Sequence, residues 1–197
     1  MERILIVGAG GHGRSVAESI ELRGNFQIAG FIDDSYPEKK QVWDYPVLGA
    51  VEDISVFSDR AESLVVAIGN NRVRKALFGK AKASGFMLPS IIHPAAFVSS
   101  RAVIGEGCCI MAGAVVGTEA VLGSGCVVNV NASADHHCRL EDFAHLGVGV
   151  QLAGGVIVGD SAWLQAGSSA GYGVVVPDEA NVLPCIGLLK DCVTCKV

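Results

Sequence analysis

The sequence is poor in aromatic residues, which make up 6% of its 197 positions. It has no basic cluster: 15 Lys and Arg stand against 20 Asp and Glu, a formal net charge of −5. Nucleic acid is gripped through a positive stripe or patch, so this balance offers it no footprint. No apolar run approaches a membrane span, and the short run Leu5-Ile6-Val7 is too brief for a signal peptide. A soluble, cytoplasmic protein is expected. Cysteine is present at seven positions, an odd number, but Cys192-x-x-Cys195 has no second pair with which to form a zinc site. Cys108, Cys126 and Cys138 fall at one recurring position and read as packed thiols in a reducing compartment.

What fills the sequence instead is a repeat of period six. From Val98 a step of six residues lands on Ile104, Ile110, Val116 and so on to Leu188; of these sixteen anchors fourteen are large aliphatics, and Ala134 and Ala170 are the others. Four residues after each anchor stands Ala, Cys, Ser or Val, until Ile186 ends the series. Gly often follows the anchor directly, as at Gly105, Gly117, Gly123, Gly147, Gly159 and Gly171. A 3.6-residue helix does not divide into six, and a two-residue alternation does not explain the small slot. One large inward residue, one small one and a Gly-containing turn describe a parallel β-helix, in which three hexads make a triangular coil. Residues 18 apart then stack with a rise of roughly 4.8 Å.

The first ninety or so residues are of another kind. Arg3-Ile4-Leu5-Ile6-Val7 reads as a buried strand, followed by Gly8-Ala9-Gly10-Gly11-His12-Gly13 and a helix over residues 14–22. Further strands are expected over 27–32, 63–68 and 87–92, a second helix over 73–83, and a turn-rich loop over 37–46. Alternating strands and helices give a small parallel α/β sheet. The expected division is residues 1–92 and 93–197. Gly8-x-Gly10-x-x-Gly13 has the spacing of a dinucleotide fingerprint, and Asp33 lies where an acid that binds ribose is expected. Ninety residues hold little more than one mononucleotide half. A nucleotide or nucleotide-sugar across the strand ends therefore fits better than NAD, and a purely structural tight turn is the remaining alternative.

His136, His137 and His145 lie within ten residues, and Asp135-His136-His137-Cys138 is the most polar passage of the repeat. A solvated corner is the ordinary reading of such histidines. Asp135, Asn129 and Asn131 nearby supply the orienting acceptors that a general base needs.

The hexads, with Val7-Gly8-Ala9-Gly10-Gly11-His12-Gly13, Phe31-Ile32-Asp33-Asp34 and Val66-Ala67-Ile68-Gly69-Asn70-Asn71 before them, resemble the sialic acid O-acetyltransferase family. The likeness is greatest to its UDP-amino-sugar N-acetyltransferases. It implies a left-handed β-helix, acetyl-CoA as cosubstrate, a homotrimer with its acetyl-CoA site between subunits, and N-acetylation of a UDP-4-amino-sugar in bacterial glycan synthesis. O-acetylation of sialic acid is the alternative, and a non-catalytic nucleotide-sugar-binding solenoid the next. By the resemblance, Gly10, Gly11, His12, Asp33, Asp34, Gly69 and Asn70 hold the nucleotide-sugar, His136 is the base, and His145, Ala166 and Pro184 contact acetyl-CoA.

Two departures stand out. The carboxylate that follows the family's catalytic His is His137 here, so either Asp135, Glu119 (one coil below His137) or Asn129 takes over its task, or the base is weaker. The family's Gly-Val-Pro-Ala-Lys type of ending is absent before Cys195-Lys196-Val197. Gly154, 18 residues after His136, should stack above it and offer its N–H to an oxyanion. Zinc-dependent carbonic anhydrases of similar solenoid fold space their ligands differently, and no metal site is expected.

Overall fold

The structure, a computed structural model, describes residues 1–190; Cys192-x-x-Cys195 and the chain ending lie outside them. The chain divides into two compact units between Pro94 and Ala95, two residues beyond the expected cut. No helix among the described residues is long and apolar enough to cross a membrane.

The first unit is an α/β domain on a five-stranded sheet of order β3-β4-β2-β1-β5. Its strands are β1 (Arg3–Val7), β2 (Gln27–Ile32), β3 (Gln41–Val42), β4 (Tyr45–Gly49) and β5 (Ser63–Val66). β1 runs parallel to both β2 and β5, and Ile4, Leu5, Ile6 and Val7 are wholly buried. A strand buried on successive residues is covered on both faces, as a parallel sheet with helices requires. Helix α1 (Gly11–Arg23) buries Gly13, Val16, Ala17 and Ile20, one stripe at helical spacing, and ends at Gly24 in the left-handed conformation. Helix α2 (Asn71–Ala83) likewise buries Arg74, Leu77, Phe78 and Ala81.

Several expectations need correction. Residues 37–46 are not all loop: β3 and the first residues of β4 lie there, and β4 pairs in parallel with β2. A short 3-10 helix, Val51–Phe57, follows. Of the strand expected over 87–92, only an isolated bridge from Met87 to Ser63 and the pair Ile91–Ile92 form.

The second unit is a left-handed parallel β-helix. Its strands are two residues long and recur every six, from Phe97–Val98 to Gly187–Leu188. One face stacks Val115 on Phe97, Ser133 on Val115, Gln151 on Ser133 and Ser169 on Gln151, always 18 residues on. The anchors point inward: Val116, Ala134 and Val158 are fully buried. The cysteines of the small slot are buried and reduced, and the thiols of Cys108, Cys126 and Cys138 donate to Gly123, Glu141 and Ala153 carbonyls at 3.1, 3.1 and 3.2 Å.

Two glycine positions do different work. A Cβ at Gly117, directly after its anchor, would lie 2.8 Å from the Asp135 carbonyl carbon of the next coil, so this position is about close approach. The turn itself is made two residues later. That corner residue has a positive φ in every hexad from Gly107 to Cys185, and half of these residues are not glycine: Glu119, Asn131, His137, Phe143, Ser161, Glu179 and Cys185. A non-Gly residue in this region costs about 1–2 kcal/mol, offset by the stacking of neighbouring coils.

Candidate active site

The passage around His136 sits on a corner of the solenoid. Ser133–Ala134 is a strand, Asp135 leaves it, and His137 makes the left-handed turn with φ 59°. Because coils stack at 18 residues, His136 has Thr118 and Gly154 as coil neighbours, and His137 has Glu119 and Gly155. The backbone fixes this register: the N–H of His137 donates to Thr118 at 3.0 Å, and that of Gly155 to the His136 carbonyl at 2.9 Å.

The side chains of this corner meet one another. His136 and His137 approach through their Nδ1 atoms at 2.9 Å, with rings nearly perpendicular. His137 Nε2 lies 2.8 Å from Glu119 Oε2. Asp135 accepts the backbone N–H of His136 at 2.7 Å through Oδ1, and its Oδ2 is 3.8 Å from His136 Nε2. Tyr172, which sequence reasoning did not single out, has its ring centroid 6.4 Å from that of His136. Its place two coils above His136 was the available signal.

Gly154 is required where it stands. A Cβ there would lie 2.5 Å from His136 Nε2 and 3.0 Å from Nδ1, inside the imidazole's own space. Its carbonyl accepts from Gly173 at 3.0 Å, while its N–H has no acceptor among the described residues. The imidazole therefore rests on a bare peptide with a free donor. Cys138 beside it is no nucleophile: burial pushes its thiol pKa up, keeping it protonated.

Other expected residues are elsewhere. Asn129 lies at the start of the turn before this strand and closes that turn, accepting from Val130 N–H at 2.8 Å. His145 is on another face, buried and stacked on Trp163 at 5.5 Å with planes 17° apart. Ala166 and Pro184 share one register position a coil apart at the corner following that face, and Ala166 accepts the N–H of Cys185 at 3.0 Å. Within one chain, Asp135, His136, His137 and Gly154 stand at one corner, whereas Asn129, Ala166 and Pro184 stand at the corner before it. An open groove of about 750 Å³ runs along the face beside Asp135, over Val115, Ser133, Gln151, Ser169 and Gly187.

The strand ends of the α/β domain form the second candidate site. Gly8, with φ 109°, and Gly13 are structural: side chains there would collide with the Ala67 and Gly8 carbonyls. Gly10, Gly11 and Gly69 face open space, so nothing in the packing requires them. They leave room for a ligand against the backbone at the start of α1, where N–H groups favour an anion.

The polar side chains there are largely occupied. Asp33 accepts from Ala9 N–H at 2.6 Å and Ser35 N–H at 2.9 Å, and from the Ser35 hydroxyl. Burial works to raise its pKa, but these bonds and Lys39 outweigh it and hold the carboxyl below its ordinary range. Asp34 accepts from Val51 N–H at 3.0 Å, and Asn70 caps α2 by accepting from Val73 N–H at 3.0 Å. Arg74, which the sequence pattern concealed within a helix, is buried and donates to the Ile68 and Gly69 carbonyls at 3.0 and 3.1 Å. His12 is half-buried as a residue, yet its Nε2 is sealed from solvent with no hydrogen-bond partner among the described residues. That burial, with the Arg74 charge, pushes its pKa down to about 4, so the ring is neutral near pH 7.

With this geometry in view, the likeness to known proteins is specific. Residues 3–81 match the family described as the PglD N-terminal domain. UDP-N-acetylbacillosamine N-acetyltransferase of Bacillus subtilis is 36% identical over 115 residues, which are 57% of this chain and span 52% of that protein's length. The acetyltransferase domain of PglB from Neisseria gonorrhoeae, solved with acetyl coenzyme A, superposes with a TM-score of 0.80 at 35% identity. That match covers 91% of this chain and 95% of the other. PerB from Caulobacter crescentus, solved with CoA and GDP-perosamine, gives 0.83 at 34% identity, covering 96% and 93%. The chain belongs to the hexapeptide-repeat acyltransferase family, in the group that carries a PglD-type N-terminal domain.

Proposed function

We propose that this chain transfers the acetyl group of acetyl-CoA to the amino group of a nucleotide-linked 4-amino sugar. The observation that carries the reading is His136, whose imidazole lies against the side-chain-free face of Gly154, with Nε2 2.5 Å from where a Cβ would stand. The amine nitrogen attacks the thioester carbonyl and its proton passes to His136 Nε2. The Gly154 N–H donates to the oxygen on which negative charge develops. Collapse breaks the C–S bond, the thiolate of CoA takes the proton from His136, and an amide remains. No acyl-enzyme forms, in keeping with the buried, protonated Cys138.

The B. subtilis relative, an N-acetyltransferase by name, and the GDP-perosamine held by PerB support an amine acceptor. The nucleotide-sugar lies at the α/β strand ends, its phosphates at the start of α1 beside Gly10 and Gly11, in the space left by the missing side chains there and at Gly69. Asp33, Asp34 and Asn70 hold that loop system in shape. We read the nucleotide as UDP, after the B. subtilis relative. Calorimetry tests this: heat with a UDP-4-amino-sugar, and none with NAD or free sialic acid, is expected. Binding only of the GDP analogue corrects the base, and the reverse pattern overturns the reading. Asp33→Ala weakens the nucleotide-sugar isotherm and leaves that of acetyl-CoA unchanged.

The enzyme is cytoplasmic and works as a homotrimer. His145, Ala166 and Pro184 lie away from His136 in one chain, and threefold packing of prisms brings a corner of one copy against a neighbour. Light scattering then gives three times the 20.4 kDa chain mass. An active monomer contradicts it.

A further inference from the structure

Two close contacts at the corner, one ion pair and one ring-to-ring bond, constrain the protons of the two histidines. A carboxylate only accepts, so Glu119 Oε2 at 2.8 Å requires a proton on His137 Nε2. With His137 in its neutral form, its Nδ1 presents a bare lone pair. The contact of 2.9 Å between the two Nδ1 atoms needs one donor, which has to be His136. His136 is left with its lone pair on Nε2, the nitrogen above Gly154. The other groups facing it do not compete for this task. Asp135 is engaged by the His136 backbone N–H at 2.7 Å and stands 3.8 Å from Nε2 rather than at Nδ1. Asn129 closes its own turn, and Tyr172 meets the ring only at 6.4 Å.

The geometry points to Glu119 and His137 as positioning residues that together set the tautomer of His136, an acid acting through a second imidazole. The inference rests on the acetyl transfer proposed above for its kinetic consequence, but the tautomers are a property of the resting protein. When Nε2 takes the amine proton, His136 becomes an imidazolium that still donates from Nδ1 to His137. Glu119 remains ionised one bond further away, and no proton needs to leave the pair.

The solenoid explains why the arrangement is available. Glu119 and His137 are both left-handed corner residues, at φ 59° each, and the register of 18 stacks them. The next corner is Gly155, also left-handed, so this column accepts a residue without a side chain. Glu119 and His137 are both more than half exposed, and an exposed ion pair adds little to stability. Removing it should therefore be visible in the chemistry and not in the fold.

Two measurements test this on the full-length protein. In nitrogen-15 NMR of the histidine side chains, wild type shows His136 protonated at Nδ1 and His137 at Nε2, and Glu119→Ala abolishes this fixed pair of tautomers. In steady-state kinetics, Glu119→Ala and His137→Gly each lower kcat by about 10- to 100-fold, the usual size of an orienting partner, with both KM values and the melting temperature held. Glu119→Gln, whose amide oxygen still accepts from His137, recovers most of the loss. In a His137→Glu background, where a carboxylate meets His136 directly, Glu119→Ala has no further effect. Unchanged tautomers in Glu119→Ala, or equal losses from Glu119→Ala in both backgrounds, overturn the relay. A wild type with the assigned tautomers and no turnover of amino sugars sinks the proposed reaction and leaves the relay standing.

Discussion

At the strand ends of the α/β domain, polar side chains turn back on the chain; at the His136 corner they turn outward. Asp33, Asp34, Asn70 and Arg74 each bond to backbone groups of neighbouring loops. What remains open there is the space that side chains at Gly10, Gly11 and Gly69 would fill. In the solenoid the ladder of strands satisfies most backbone groups, so Glu119, His137 and His136 are free to bond to one another. The lesson is about where specificity lies. A loop-built site shapes its backbone with its side chains and offers peptide to the ligand. A ladder-built site needs no such help and offers the side chains themselves.

The largest expected effect falls on the ladder-built site. His136→Ala lowers kcat by about 10²–10⁴-fold with the nucleotide-sugar isotherm unchanged, because it removes a general base and no binding group. Equal loss in binding would mean that the corner also holds the sugar's nucleotide.

Next comes a pH effect at the loop-built site. His12 has a folded pKa of about 4, below the 6.5 of the unfolded chain. Protons therefore favour the unfolded state as pH falls between these values: the contribution is full above 6.5 and lost towards 4. It amounts to up to about 3 kcal/mol at 1.4 per pKa unit. Urea titrations at pH 7 and pH 4.5 should show a smaller fall for His12→Gln than for wild type. Parallel falls would mean that the ring is solvated.

Gly154→Ala displaces the imidazole from its floor and costs about tenfold in kcat, since a misplaced base loses alignment while the coil stays paired. Circular dichroism and the melting curve should be unchanged. The smallest effect belongs to a residue expected to bind ligand. Asn70→Ala costs about 1 kcal/mol of stability, the usual value of a helix N-cap, and alters nucleotide-sugar affinity little.

The sequence was most legible where structure repeats. Period six shows the anchors, the small slot and the 18-residue stack, and that stack sets Gly154 against His136. It was least legible where one residue has two roles. The polar, turn-rich composition of residues 37–46 hides β3 and the start of β4; these two strands meet at only two residue pairs, and that edge tolerates Pro46. The glycine that follows the anchor does not make the corner turn. Gly105 and Gly117 mark close approach of coils, while the left-handed turn two residues later often holds another residue. Spacing alone offered Glu119, Asp135 and Asn129 as partners for the base. Only the direction taken by side chains at a left-handed corner selects Glu119, and that direction is absent from a pattern of residue types.

The central claim is acetyl transfer to an amine carried by a nucleotide-sugar, and release of free CoA thiol measures it most directly. With acetyl-CoA present, a UDP-4-amino-sugar should release thiol in step with its conversion to one acetamide per sugar. The same nucleotide-sugar without its amine should release none, and neither should free sialic acid. Thiol release with sialic acid alone, or release independent of the amine, would contradict the account.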